Sequence, residues 1–365
     1  MTDSPDDASG SPASPDDRAV PGETASGSLM GPGDAAAPST SGALAASGPP
    51  VALAAGAAVP PRGPGAPRSL VGNRSNSLSE RLVAYALGAC ALVTVATTLS
   101  IAAVLISESL AFFGEVSLWD FLTGTQWTGQ IDGENWGIWP LLSGTFLITA
   151  IAAAVALPLG LAAAIYVSQY ASERVRQVLK PGLELLAGIP TIVYGFFALT
   201  FVTPLLQSII PGLQVYNALS AGLVVGVMIV PLVASLSEDA LRAVPRALAE
   251  GGYALGATKI EVVTKILVPG ALSGIVASFI LAISRAVGET MIVVIAAGAQ
   301  PRLTLNPLDS IQTMTAYIAQ VTQGDAAQGT VEFQSLFAVG LALFVLTLVL
   351  NLVANAVIRR YKEAY

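Results

Sequence analysis

Six apolar runs limit what this chain can become. Residues 82–107, 138–168, 185–210, 219–236, 269–299 and 335–358 are each long and apolar enough to cross a bilayer, which takes about 20 residues at 1.5 Å rise per residue. A backbone in lipid has no water to bond, so it must satisfy its own N–H and C=O groups, and consecutive runs of this length do so as helices. The expected fold is an all-α polytopic membrane protein with six transmembrane helices. Composition agrees: 53% of the residues are hydrophobic and 11% charged, where soluble domains are about a quarter charged. Histidine is absent and Cys90 is the single cysteine. This argues against zinc or haem ligation, Cys–His catalysis and a disulfide frame. Cys90, inside an apolar run, reads as a small buried hydrophobe.

The first 66 or so residues are a different polymer, rich in Ser, Pro, Gly and Ala with paired aspartates at 6–7 and 16–17. Such a composition buries too little apolar surface to offset chain entropy. Residues 1–79 are therefore expected to be a disordered cytoplasmic tail and residues 80–365 the membrane domain. Orientation follows Lys and Arg placement. Arg68, Arg74 and Arg81 precede the first run; Arg174, Arg176 and Lys180 follow the second; Arg242, Arg246, Lys259 and Lys265 follow the fourth; Arg359, Arg360 and Lys362 close the chain. The loop after the first run instead carries Glu108, Glu115, Asp120, Asp132 and Glu134 with no Lys or Arg, and the loop after the fifth has only Arg302. The alternation places both termini and the 237–268 loop in the cytoplasm of a multi-pass protein of the cytoplasmic membrane. Net charge −7 sits largely in termini and loops. It calls for no nucleic acid partner; lipid is the surrounding medium.

Smaller patterns refine this. The four tryptophans, Trp119, Trp127, Trp136 and Trp139, all lie in or beside the first external loop. Indoles favour the membrane boundary, so an interfacial anchor with a short surface helix is expected. Gly222/Gly226 and Gly270/Gly274 have the spacing of close helix contacts. Gly188 and Pro190 interrupt the third run, and a residue before proline avoids helix, so a kink or hinge is expected there.

The 237–268 loop is longer than common connections and keeps helical periodicity. Arg242 to Leu255 reads as one short helix and Thr258 to Leu267 as another, with Ile260, Val263 and Leu267 on one face and Gly256 at the joint. Gly251 and Gly252 each cost about 1 kcal/mol against Ala in a helix, which suggests close approach of another backbone or simple tolerance. The fifth run carries two charges, Arg285 and Glu289. A charge at mid-membrane costs about 2.5–3.5 kcal/mol on insertion scales. A spacing of four puts both on one helix face where they can pair, either as a lock for the bundle or with Arg285 attracting an anion.

Four sets of residues resemble a known family. Glu250, then Gly256 six residues on, then nine residues to Ile266-Leu267-Val268-Pro269, resembles the EAA loop of ABC-importer permeases, with Gly251 and Gly252 in place of its alanine pair and Val268 in place of Leu. The segments PLGLAAAIYVSQYA (158–171), ELLAGIPTIVYGFF (184–197) and RAVGETM (285–291) resemble the PstC-type permease subunits of phosphate importers, with the PstA-type sister subunit similar. The resemblance covers about residues 80–360 and implies the type I ABC importer permease fold. It implies that Glu250, Gly251, Gly252, Gly256, Ile266 and Pro269 form a loop that docks into a cytoplasmic ATPase dimer (PstB-like). ATP is then hydrolysed on that partner, with no cofactor bound by this chain. It also implies a homologous second permease (PstA-like), an extracytoplasmic phosphate-binding protein (PstS-like), and a substrate pathway at Arg285, Glu289 and Thr290.

Two other classes are weighed against this reading. A secondary transporter would use Arg285 and Glu289 as a proton relay and work alone, but the six runs show no clear inverted repeat. A membrane enzyme would need a nucleophile–base pair, a metal cluster or a phosphate-binding GxxxxGK[ST] loop, none of which the sequence contains.

Overall fold

The computed structural model describes residues 77–129, 133–324 and 326–360. The expected disordered tail lies outside the described residues, except that helix α1 (Ser77–Glu115) starts three residues inside it. The described residues are helical apart from loops and one isolated bridge between Trp127 and Trp136.

After α1 come α2 (Leu118–Thr123) and α3 (Trp139–Ile165), which continues as a π-helical turn through Tyr166–Tyr170. Next are α4 (Glu173–Gly188), α5 (Thr191–Phe197), a π turn at Ala198–Val202, and α6 (Thr203–Gln207). Then come α7 (Ala218–Ala243), α8 (Arg246–Ala254), α9 (Lys259–Val262), a π turn at Val263–Leu267, and α10 (Val268–Gly270). The last are α11 (Leu272–Val287), α12 (Met291–Ala296), α13 (Met314–Gln323) and α14 (Val331–Arg360).

Four helices are long and apolar enough to span a membrane by themselves, and two bent pairs raise the number to six. The third run bends where the kink at Gly188 and Pro190 is expected, and the fifth run, expected as one continuous span, bends as well. Residues 185–188 belong to α4, and the chain turns 88° between α4 and the α5–α6 stretch. The turn falls at Ile189 and Pro190, both extended, because Pro190 has no N–H to continue the ladder. The fifth run bends by 70° at Ala271 and breaks again after Val287.

Helices α3 and α7 form the most extensive pair. Small residues make that closeness possible. A Cβ at Gly222 would sit 2.7 Å from Ile151, at Gly226 2.9 Å from Val155, and at Gly160 2.5 Å from Val233. Gly274 meets Ala240 of α7 in the same way. In lipid, close packing and interhelical hydrogen bonds replace the hydrophobic drive. The buried Ser237–Ser278 contact at 2.8 Å is one such bond, from α7 to α11. Cys90 is exposed on α1, against the expectation of burial, because α1 packs chiefly along α14 and leaves most of its circumference outside the core.

The tryptophans divide. Trp119 is exposed and lies on short helix α2 as expected, and Trp139 donates from Nε1 to the Leu122 carbonyl at 2.8 Å. Trp127 and Trp136 are instead buried, edge-on to each other and to Tyr317 and Phe112 respectively. They form the core of a folded cap over the ends of α1, α3 and α13 rather than an interfacial anchor.

Gly226→Leu is expected to destabilise the chain by about 1–3 kcal/mol through overpacking. Gly88→Ala, on α1 with open space at its Cβ, should leave stability near wild type. Thermal melts of the two purified variants in detergent check both outcomes.

Candidate functional site

The site starts from a broken span. Helix α11 ends at Val287 with Gly288 as its C-cap, and α12 begins at Met291. The expected i, i+4 pairing of Arg285 with Glu289 therefore fails, since the helix that would align them stops between them. Among the described residues neither is in an ion pair with the other.

Their environments differ. Glu289 is buried. Its Oε1 accepts from the Ile292 N–H at 3.4 Å, and its carbonyl accepts from the Thr315 hydroxyl at 2.7 Å. A carboxylate at the start of α12 also faces the positive end of that helix. Thr290 is half-buried and donates to the Gly288 carbonyl. Arg285 is exposed, in the last turn of α11, where a helix C-terminus favours a cation. It lines a cavity of about 340 Å³ together with Lys180, Glu184, Thr191, Ser235 and Glu238 and apolar residues of α3 and α7. Ile189, beside the kink at Pro190, is also on that wall. The kink is where the sequence places it, and it brings α4 over the cavity.

The 237–268 region folds as two short helices, with changes from expectation. Arg242 ends α7, and Pro245 separates it from α8, so no single helix runs from Arg242 to Leu255. Gly256 has φ +82, a left-handed conformation that glycine adopts without a Cβ penalty. Gly252 is buried with Ile266 and Val262 against it, while Gly251 has open space. The close approach is thus by side chains of the following turn, not by a backbone. The buried face is Val262, Val263 and Leu267, and Ile260 is exposed, because the π turn at Val263–Leu267 shifts the register. Thr258 donates through its N–H and hydroxyl to Glu261 Oε2 at 3.0 and 2.9 Å, a capping box. The backbone donor first, then the hydroxyl and Lys265, hold the Glu261 carboxyl down to about 2. Lys259 sits 4.7 Å over the Tyr170 ring, tying the loop to the second span. Glu250 and Leu255 point outward from α8, with Leu255 91% exposed, and Pro269 is exposed in α10. The arrangement offers an apolar knob flanked by a carboxylate, on a scaffold packed against α7 and α11.

One charged group was not singled out by sequence reasoning. Glu238 is 4% exposed in α7. Its carboxylate lies 2.7 Å from Arg242 Nη2, 3.0 Å from Lys180 Nζ and 3.9 Å from Arg176 Nε. The Glu-first spacing to Arg242 was a visible helical pair. The contribution of α4 was not, because it depends on the turn at Pro190.

Comparison with known proteins adds a second line. Residues 156–363 match the family described as binding-protein-dependent transport system inner membrane component. A Bacillus subtilis protein, "Probable ABC transporter permease protein YqgH", is 33% identical over 309 residues, covering 80% of this chain and all of the relative. The Mesorhizobium japonicum "Phosphate transport system permease protein PstC" is 32% identical over 272 residues, covering 69% of this chain and 81% of the relative. A chain in the crystal structure of a bacterial alginate ABC transporter in complex with alginate pentasaccharide-bound periplasmic protein shares the fold with TM-score 0.57. It is 18% identical and aligned over 79% of this chain and 99% of its own.

Glu238→Gln should lower stability by about 2 kcal/mol. That is less than the 3–5 of a fully buried pair, because Lys180 and Arg242 stay partly solvated. The melting temperature of the purified variant checks this.

Proposed function

Because this chain belongs to the family of binding-protein-dependent transport system inner membrane components, we propose that it forms one half of the membrane pathway of an ATP-driven importer that carries inorganic phosphate into the cell. That it is a multi-pass ABC permease subunit follows from the family and the spans. The anion, the partners and the orientation belong to the proposal.

The observation that carries it is Arg285: a cation at a helix break within the span, without an ion-pair partner among the described residues, on the wall of a cavity. A tetrahedral oxyanion presents the oxygens that a guanidinium fork binds best. Glu289, bonded to the α12 backbone and not paired with Arg285 among the described residues, supports the break without closing the pathway to an anion. Thr290 lies at the same break. Relatives carrying the phosphate permease name favour phosphate. A second reading, another oxyanion, draws on the Bacillus subtilis relative, whose name specifies no substrate.

The driving motion comes from outside the chain. Glu250, Gly251, Gly256 and Leu255 form the surface an ATPase dimer would grip, with Gly252 packed beneath it, and Ile266 and Pro269 pass the displacement into α11, which carries Arg285 in its last turn. A homologous second permease would complete the pathway, and an extracytoplasmic phosphate-binding protein would load it. Both termini and α8 then face the cytoplasm. Gly188 and Pro190 are the hinge that lets α4 shift over the cavity.

Cells lacking this chain, complemented with Arg285→Gln, should show at least about tenfold lower uptake of labelled phosphate. A lost hydrogen bond to a charged group is worth about 1.5–3 kcal/mol. Membrane levels of the variant, and its recovery with partner subunits, should match wild type. Normal uptake by that variant would remove Arg285 from the pathway, and unlabelled sulfate matching phosphate as a competitor would favour the second reading. Leu255→Asp should lower transport-coupled ATP hydrolysis, measured on the reconstituted complex, and leave the melting temperature of the chain unchanged.

A further inference from the structure

A second cavity, of about 350 Å³, lies at the root of the loop, away from Arg285. Its walls are Arg176 of α4, Arg242 at the end of α7, Arg246 at the start of α8, and Ser168 and Gln169 of the π turn that ends the second span. No carboxylate is among its lining residues. Glu238 serves Arg176, Arg242 and Lys180 together, and Arg176 also pairs through Nη1 with Glu173 at 3.5 Å and donates from Nη2 to the Val167 carbonyl at 3.0 Å. Arg246 has no ion pair among the described residues, and the buried Arg176 Nε has no hydrogen-bond partner.

We propose that Arg176, Arg242 and Arg246 form a binding site for a small oxyanion, inorganic phosphate or a phosphate headgroup, at the loop end of the molecule and distinct from the Arg285 cavity. Three arginines line one pocket, and planar guanidinium forks pair with phosphate oxygens two bonds at a time. Ser168 and Gln169 add neutral donors for the remaining oxygens. Arg176, Lys180, Arg242 and Arg246 share only Glu173 and Glu238 in these ion pairs, and an anion in the pocket offsets the remaining positive charge. Two of the three arginines also hold Glu238, which lines the Arg285 cavity. Anion occupancy therefore competes with the carboxylate that borders the pathway. Of the cations around this pocket, Arg246 is the one whose replacement disturbs no ion pair.

The test uses the full chain in phosphatidylcholine nanodiscs and inorganic phosphate followed by titration calorimetry and by thermal shift. Arg285→Gln removes the pathway site from view. In that background phosphate should still bind, and adding Arg246→Gln should weaken binding by about tenfold or more while the melting temperature without phosphate stays the same. Repeating the titration in discs containing phosphatidylglycerol separates the two sources. Loss of Arg246-dependent phosphate binding there identifies a lipid headgroup as occupant of the same oxyanion site, and retention identifies free phosphate. Phosphate binding that is absent in the Arg285→Gln background, or equal with and without Arg246, overturns the proposal. So does its displacement on adding the ATPase subunit, which would make the pocket a protein contact. Because Arg285 is silent throughout, failure here leaves the pathway reading untouched, and failure of Arg285→Gln in uptake leaves this one.

Discussion

Hydrocarbon offers no hydrogen bonds, so a span that breaks in its middle must be repaired by the protein around it. The break at Gly288–Thr290 is repaired from three sides. Glu289 Oε1 takes the Ile292 N–H, and the Thr315 hydroxyl takes the Glu289 carbonyl. At the other end of α12, the Asn217 N–H bonds the Ala296 carbonyl at 3.0 Å, and the Ile311 N–H bonds that of Ala297 at 3.0 Å. The returning 307–313 segment and α13 are therefore the lining that the break requires. Ile311, Met314 and Tyr317 are fully buried because they hold this repair in place. With α12 secured, α11 can end in mid-span and aim Arg285 at a cavity.

Charge at the other end of that cavity is arranged by a similar rule. A buried carboxylate needs partners, and Glu238 recruits them from α4 and from its own helix. That recruitment joins the polar helix before the third span to the end of α7, just before Pro245 starts α8. The cluster thus links the loop, the wall of the Arg285 cavity and the kink at Pro190 in one contiguous set of contacts. Salt will weaken it only in part, since the carboxylate is shielded while its cations are half in water.

Much of this was legible in the sequence. Apolar length gave the spans, the glycine spacing at 222 and 226 marked a close helix contact without naming its partner, and the Glu250–Gly256–Pro269 register marked the loop whose hinge has the left-handed φ that Gly256 allows. Local rules reached that far because each feature depends on neighbours close in the chain. The break in the fifth span was hidden by its own apolar run: four-residue spacing reads as one helix face, although Gly288 and Thr290 are weak helix formers. The Glu238 cluster, the burial of Trp127 and Trp136, and helix α13 depend on contacts between distant segments. For α13 a local trace existed, since Met314, Tyr317 and Val321 recur at helical spacing, but it was too short to stand out from loop.

The central claim is that this chain is a passive half-conduit moved by a nucleotide cycle on another chain. The most direct measurement is accumulation of labelled phosphate in sealed vesicles containing the purified chain, with a proton or sodium gradient imposed, and again after the second permease, the ATPase, ATP and the binding protein are added. No accumulation is expected in the first case and ATP-dependent accumulation in the second. Gradient-driven accumulation by the chain alone would contradict the claim.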